Sequence, residues 1–348
     1  MQFNCINGSK SKTMKKNYTH FIGIDVSKLT LDVCLLAGEE TFIHSIFNNN
    51  EKGIKQLLKW ITSQKVDLYQ CLFCLEHTGI YAMPVSCKLG ELNCEFALVP
   101  AIEIQRSIGL KRGKSDKADS LAIARYAMLR QHNIRLYRLP EEKLLRLKLL
   151  LSQRQSLVQH KLQFELAAKE YKGYIDEKFM KEITRQNQSL KKSVIAKIKE
   201  TESLIEQLIN SDEEMKRVYD LLQTIPGIGP QTALQLITST RCFTAFDNSR
   251  QFACYAGIAP FEYRSGTSIK GRNKVSPFAN KQIKALLNLA ALNAKKSDRQ
   301  LLDYFERKLK EGKNKMLILN NIRNKIVARI FATVKRGTPY VRTINYAA

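Results

Sequence analysis

The sequence predicts an α/β N-terminal domain, a long helical middle and a mainly helical C-terminal domain. Three observations carry this. Apolar runs at residues 21–24, 29–36, 41–47, 71–75 and 95–99 have the length and β-branched, aromatic content of strands. Residues 141–222 keep leucines and isoleucines at spacings of three and four, with charges of both signs between them. From residue 223 onward apolar helical patterns alternate with basic polar stretches.

In chain order, residues 1–18 form a basic arm carrying Lys10, Lys12, Lys15 and Lys16. The first two strands, joined by a tight connection, read as a hairpin, with Asp25 at the end of the first. Residues 41–47 add a third strand, and Glu51 to Ser63 has helical spacing. Cys71 to Leu75 is apolar throughout, as in a strand buried on both faces, and ends at Glu76. A helix at 83–89 and a strand at 95–99 follow. A basic loop with Lys111, Arg112 and Lys114 leads into a helix that starts at Asp116 and Asp119. Three strands in a meander, then alternating helices and strands, describe a mixed sheet with helices on both faces, spanning 19–140.

Residues 141–222 read as a helical hairpin or coiled coil, with Leu144, Leu147, Leu151 and Val158 along one seam; such segments serve assembly or spacing. Residues 223–348 form a C-terminal domain. It begins near IPGIG, a turn between two helices with Gly227 and Gly229, where backbone N–H groups at a helix start can hold a DNA phosphate. A polar basic loop, Arg264 to Lys274, follows an apolar segment at 252–260. The last part is helical and strongly basic.

The 348 residues carry 57 basic and 32 acidic side chains, a net charge of +25. Residues 1–140 contribute +7, residues 141–222 +2 and residues 223–348 +16. An excess so concentrated points to a polyanion, most simply nucleic acid. Cys71 and Cys74 form a C-x-x-C inside a strand, where they face opposite sides, so a zinc site is not indicated. The cysteines suit a reducing cytoplasm, and no run reaches the length of a membrane span.

Two groups of residues carry chemistry. Asp25 and Glu76 end two strands; if these are neighbours, both carboxylates leave the sheet at one edge. Asp116 and Asp119 share one face of a helix start. Taken singly, each acid has an ordinary explanation as a strand end or a first-turn helix charge. Together they repel one another unless cations lie between them, which suits two Mg2+ ions clamping a phosphodiester. In the second group Ser265 stands beside Arg264 and Gly266, with Ser268, Lys270, Arg272 and Lys274 close behind. Cations there can polarise a phosphate, and a serine needs such help to act as a nucleophile. Standing alone, this pattern is more often a phosphate-contact loop.

The ordered set FIGIDVSK, CLEHTGIY, KRGKSDKADSLAIA, IPGIGPQTA, SRQFACYAGIAPFEYRSGTSIKG and the Ser276–Asn280 segment resembles the DEDD-type insertion-sequence transposases, the group also known as bridge-RNA-guided recombinases. The likeness spans nearly the whole chain. It implies a ribonuclease-H-like domain of the Holliday-junction-resolvase kind with Asp25, Glu76, Asp116 and Asp119 as the metal set. It also implies a coiled-coil segment and a C-terminal transposase domain in which Ser265 forms a covalent phosphoserine link to DNA. Donor and target DNA, a structured guide RNA and a homo-oligomer, dimer to tetramer, with composite active sites come with the same resemblance, in the bacterial cytoplasm on DNA. Ser115, Ser120 and Ala279 depart from the family pattern, while the acids and the serine are present. A metal-dependent junction endonuclease and a non-catalytic nucleic-acid-binding scaffold are the competing expectations.

Overall fold

The computed structural model describes residues 17–38, 40–108, 115–170, 176–265, 269–276 and 278–341. The chain divides into two compact units, with the boundary between Leu139 and Pro140.

The N-terminal unit is built on a five-stranded sheet. Strands β1 (His20–Val26), β2 (Thr30–Ala37) and β3 (Thr41–Asn48) form the meander. Helix α1 (Glu51–Ser63), strand β4 (Cys71–Glu76), helix α2 (Met83–Glu91) and strand β5 (Glu95–Val99) follow, then α3 (Ala101–Ile108) and α4 (Asp116–Arg130). The sheet order is β3-β2-β1-β4-β5. β1 runs antiparallel to β2 and parallel to β4, which is parallel to β5. The mixed sheet is the expected one, and it is consistent with a ribonuclease-H-like fold.

Local chemistry fixes these elements. The hydroxyl of Ser27 accepts from the backbone N–H of Thr30 at 2.9 Å, closing the β1–β2 turn around Lys28 and Leu29. Asn50 caps α1 by accepting from Gly53 N–H at 2.8 Å. One sheet face packs Ile22, Ile24, Phe73 and Leu75 against Ile54, Leu57, Val85 and Leu89 of α1 and α2. The other packs Phe21, Cys34, Leu72 and Cys74 against Ile123, Ala124 and Ala127 of α4. Cys71 and Cys74 lie on opposite faces, as their spacing requires. β2 departs from its alternating pattern: its interior is buried throughout, Asp32 included, because it lies between β1 and β3 with α4 against its second face.

In the second unit, α5 (Glu142–Glu170) and α6 (Glu177–Asn210) form the long hairpin. Then come α7 (Glu213–Gln223), α8 (Pro230–Thr240), α9 (Ser249–Tyr255), the strands β6 (Pro260–Ser265) and β7 (Ile269–Val275), α10 (Lys281–Ser297), α11 (Arg299–Lys310) and α12 (Lys315–Arg336). Two expectations change here. The division at 222/223 does not separate two cores: Leu144, Leu147 and Leu151 of α5 and Ile205 and Ile209 of α6 pack into one core with α8, α10 and α12. The base of the hairpin is therefore ordinary interior, and Leu147 and Leu151 face the subunit's own core. The stretch 264–274, read as a loop, belongs largely to an antiparallel strand pair. Its polar sequence hid this, since Phe261, Glu262, Asn273 and Lys274 are exposed and no apolar alternation marks the strands. Among the described residues no helix is long and apolar enough to cross a membrane.

Candidate metal centre and nucleic-acid interface

Gly23 sets the approach of α4 to the sheet. A Cβ at this position would run into the carbonyl oxygen of Ser120 and the backbone nitrogen of Ala124. Without it the helix backbone rests directly on β1, and the first turn of α4 reaches Asp25. Ser115 caps that turn, its hydroxyl accepting from Ala118 N–H at 3.2 Å. Asp116 and Asp119 stand in the first turn, where the helix dipole favours negative charge.

Carboxylate oxygens of Asp25, Asp116 and Asp119 lie within 4.8 Å of one another. Asp25 and Asp119 are half-buried and Asp116 is exposed. Glu76 comes to the same face of the sheet: β1 and β4 are parallel, with Ile24 beside Leu75, so Asp25 and Glu76 follow side by side. Glu76 is not one of the three whose oxygens converge, but its charge acts on Asp25. Burial pushes the Asp25 carboxyl up to about 6, and the charges of Glu76, Asp119, Asp116 and Asp32 push in the same direction. Among the described residues no Lys, Arg or His makes an ion pair with Asp25, Asp116 or Asp119. An all-oxygen ligand set of this kind is what a hard divalent ion requires.

Asp32 was not anticipated. It is the register partner of Asp25 across the β1–β2 pair and is 6% exposed. Its Oδ1 lies 3.2 Å from Nε2 of His44 on β3. The signal was present in the sequence: a turn centred on Lys28 and Leu29 sets residue 25 opposite residue 32.

In the second unit, Ser265 is the last residue of β6, and the β6–β7 register sets Ser265 opposite Ile269 and Arg264 opposite Lys270. Gly227 takes a φ of +88°, and a Cβ there would strike the carbonyl oxygen of Ala290, so this glycine joins the α7–α8 turn to α10. Gly229 caps α8 and opens to solvent. Lys111, Arg112, Lys114 and Ser268 lie outside the described residues.

Two family models match, a transposase model of the DEDD type of IS110 over residues 22–168 and the transposase model of the IS116/IS110/IS902 family over 219–306. The chain belongs to the IS110 family of transposases. Curated relatives extend the match over nearly its full length. A pilin gene-inverting protein of Moraxella bovis is 27% identical over 340 residues, covering 95% of this chain and 100% of that protein. Its counterpart from Moraxella lacunata is 26% identical over 340 residues. An uncharacterized 43.6 kDa protein of insertion element IS110 from Streptomyces coelicolor is 30% identical over 148 residues, 42% of this chain and 36% of that protein. The transposase is thus a DNA-recombining enzyme, and its first family match covers all four expected acids. Serine chemistry and an RNA partner go beyond these matches.

Proposed function

We propose that the transposase cuts and rejoins DNA at a Mg2+ centre held by Asp25, Glu76, Asp116 and Asp119, with Ser265 as nucleophile. The observation that carries the metal reading is the convergence of Asp25, Asp116 and Asp119, none of which makes an ion pair with a Lys, Arg or His among the described residues. When bound, Mg2+ supplies charge neutralisation and alignment at the scissile phosphate. Asp25 and Glu76 contribute from adjacent strands, Asp116 and Asp119 from the helix start.

Ser265 Oγ forms a bond to phosphorus as a DNA oxygen leaves, and that oxygen takes up the proton the serine gives away. Attack by the hydroxyl of another strand then breaks the phosphoserine bond and returns the proton. No water is consumed, so strands are exchanged. Support for Ser265 is its place in a strongly basic stretch of sequence, with Arg264 before it and Lys270, Arg272 and Lys274 behind it. Ser268, Arg272, Lys274, the Gly227–Gly229 turn and the segment with Lys111, Arg112 and Lys114 are proposed contacts to nucleic-acid phosphates. Donor and target DNA are the partners, and a structured guide RNA is proposed with them on the family resemblance and the C-terminal charge of +16. A homo-oligomer, dimer to tetramer, brings the acids of one subunit to the serine of another. The Moraxella relatives are named for gene inversion, which fits cutting and rejoining.

The test is a covalent trap on supercoiled DNA carrying the element with its flanks, in Mg2+, with RNA retained on purification sequenced in parallel. The wild-type protein leaves an adduct. Ser265→Ala binds DNA without one, Ser268→Ala binds more weakly but keeps it, and Asp25→Asn gives none. Mg2+-dependent breakage without an adduct identifies a hydrolytic endonuclease, and binding without breakage a scaffold.

A further inference from the structure

Asp32 poses a problem that packing does not answer. Two carboxylates directly across an antiparallel pair repel one another, and burial raises the cost. Asp25 and Asp32 are such a pair, on the α4 side of the sheet, and Asp32 is 6% exposed. A serine or asparagine would fill the same space uncharged. His44, diagonal to Asp32 on β3, holds it through the 3.2 Å contact. A row thus crosses three adjacent strands, from Asp25 to Asp32 to His44. Asp32 stands outside the group of converging oxygens, so it is placed behind the candidate ligands.

We propose that Asp32, fixed by His44, is a positioning residue of the metal centre: its buried negative charge beside Asp25 strengthens cation binding at Asp25, Asp116 and Asp119 without contacting the ion. This rests on the metal reading above. Outer-shell partners that hydrogen-bond metal ligands typically change metal affinity by about 10- to 100-fold when altered, and the lower end of that range is the scale expected for a charge acting from the next strand. The repulsion tolerated in the metal-free protein is the counterpart of that affinity.

Mn2+ titration of the full chain at pH 7.5, read by the electron paramagnetic resonance of free Mn2+, tests this alongside the thermal midpoint of the metal-free protein. Asp32→Asn should weaken Mn2+ binding by about 10-fold, while the metal-free midpoint holds or rises because the repulsion is gone. A merely structural aspartate gives the reverse, a lower midpoint with affinity intact. Asp32→Ser, a smaller uncharged replacement, should lose affinity alike and serves if the asparagine variant does not fold. Affinity within twofold of wild type in a folded Asp32 variant, with binding lost in Asp25→Asn, overturns the role of Asp32 and leaves the metal centre standing. No Mn2+ binding by the wild-type protein overturns both.

Discussion

Gly23 governs the distance between the two sources of the acidic cluster, because a side chain there meets the backbone of α4. Gly23→Ala should lift the first turn of α4 away from Asp25. The overpacking should cost about 1–3 kcal/mol in denaturant unfolding and sharply reduce Mn2+ binding. Asp25 gives a second expectation. Its folded-state carboxyl titrates near 6, above the ordinary carboxylate, so the folded chain holds a proton that the unfolded chain has released. Through Asp25 the metal-free protein should therefore lose stability as pH rises from about 4 to above 6. Because metal and proton compete for this carboxylate, Mn2+ binding should weaken as pH falls through about 6. A titration series between pH 5 and 8 checks both directions, and affinity constant over that range counts against the assignment.

At the scale of elements, α5 has two characters along its length. Leu147 is fully buried in the core of its own unit, whereas Leu162 and Leu166, nearer the far end, are 49% and 58% exposed. Leu147→Ala should cost about 2–5 kcal/mol in equilibrium unfolding, and Leu162→Ala no more than about 0.5 kcal/mol. Leu162→Glu with Leu166→Glu should leave the fold intact and lower the mass in solution if the hairpin assembles subunits. The sequence could not show this division, since a leucine seam has the same spacing whether its cover is the same chain or another. The strand and helix order of the N-terminal unit was legible because each run has the length of its element and an apolar face. α3 passed unnoticed beside a basic stretch, and β6 and β7 were hidden by their polar, basic sequence. Asp25, Asp116 and Asp119 could be brought together from strand ends and a helix start. Asp32 could not be seen as buried, because alternation along β2 places a charged residue toward solvent until α4 is known to cover that side.

For the whole molecule, the charge is the guide. Residues 223–348 carry +16, so DNA affinity should fall steeply with salt, by orders of magnitude between about 50 and 200 mM if six or more phosphates are neutralised. Most of that salt slope should persist in a fragment of residues 140–348, which holds its own core, and little in residues 1–139. Fluorescence anisotropy with a labelled duplex measures it. A slope carried mainly by the N-terminal fragment would relocate the footprint.

The meeting of Asp25 with Asp116 and Asp119 has a consequence for synthesis of the chain. One carboxylate emerges near the start of translation and the other two only after the whole sheet has been made. Until α4 closes on Gly23 the three converging carboxylates are not assembled, and a chain interrupted before residue 116 lacks both Asp116 and Asp119. On the proposed metal reading, truncated products should therefore leave DNA uncut, and the ability to break strands should arrive only with a folded N-terminal unit.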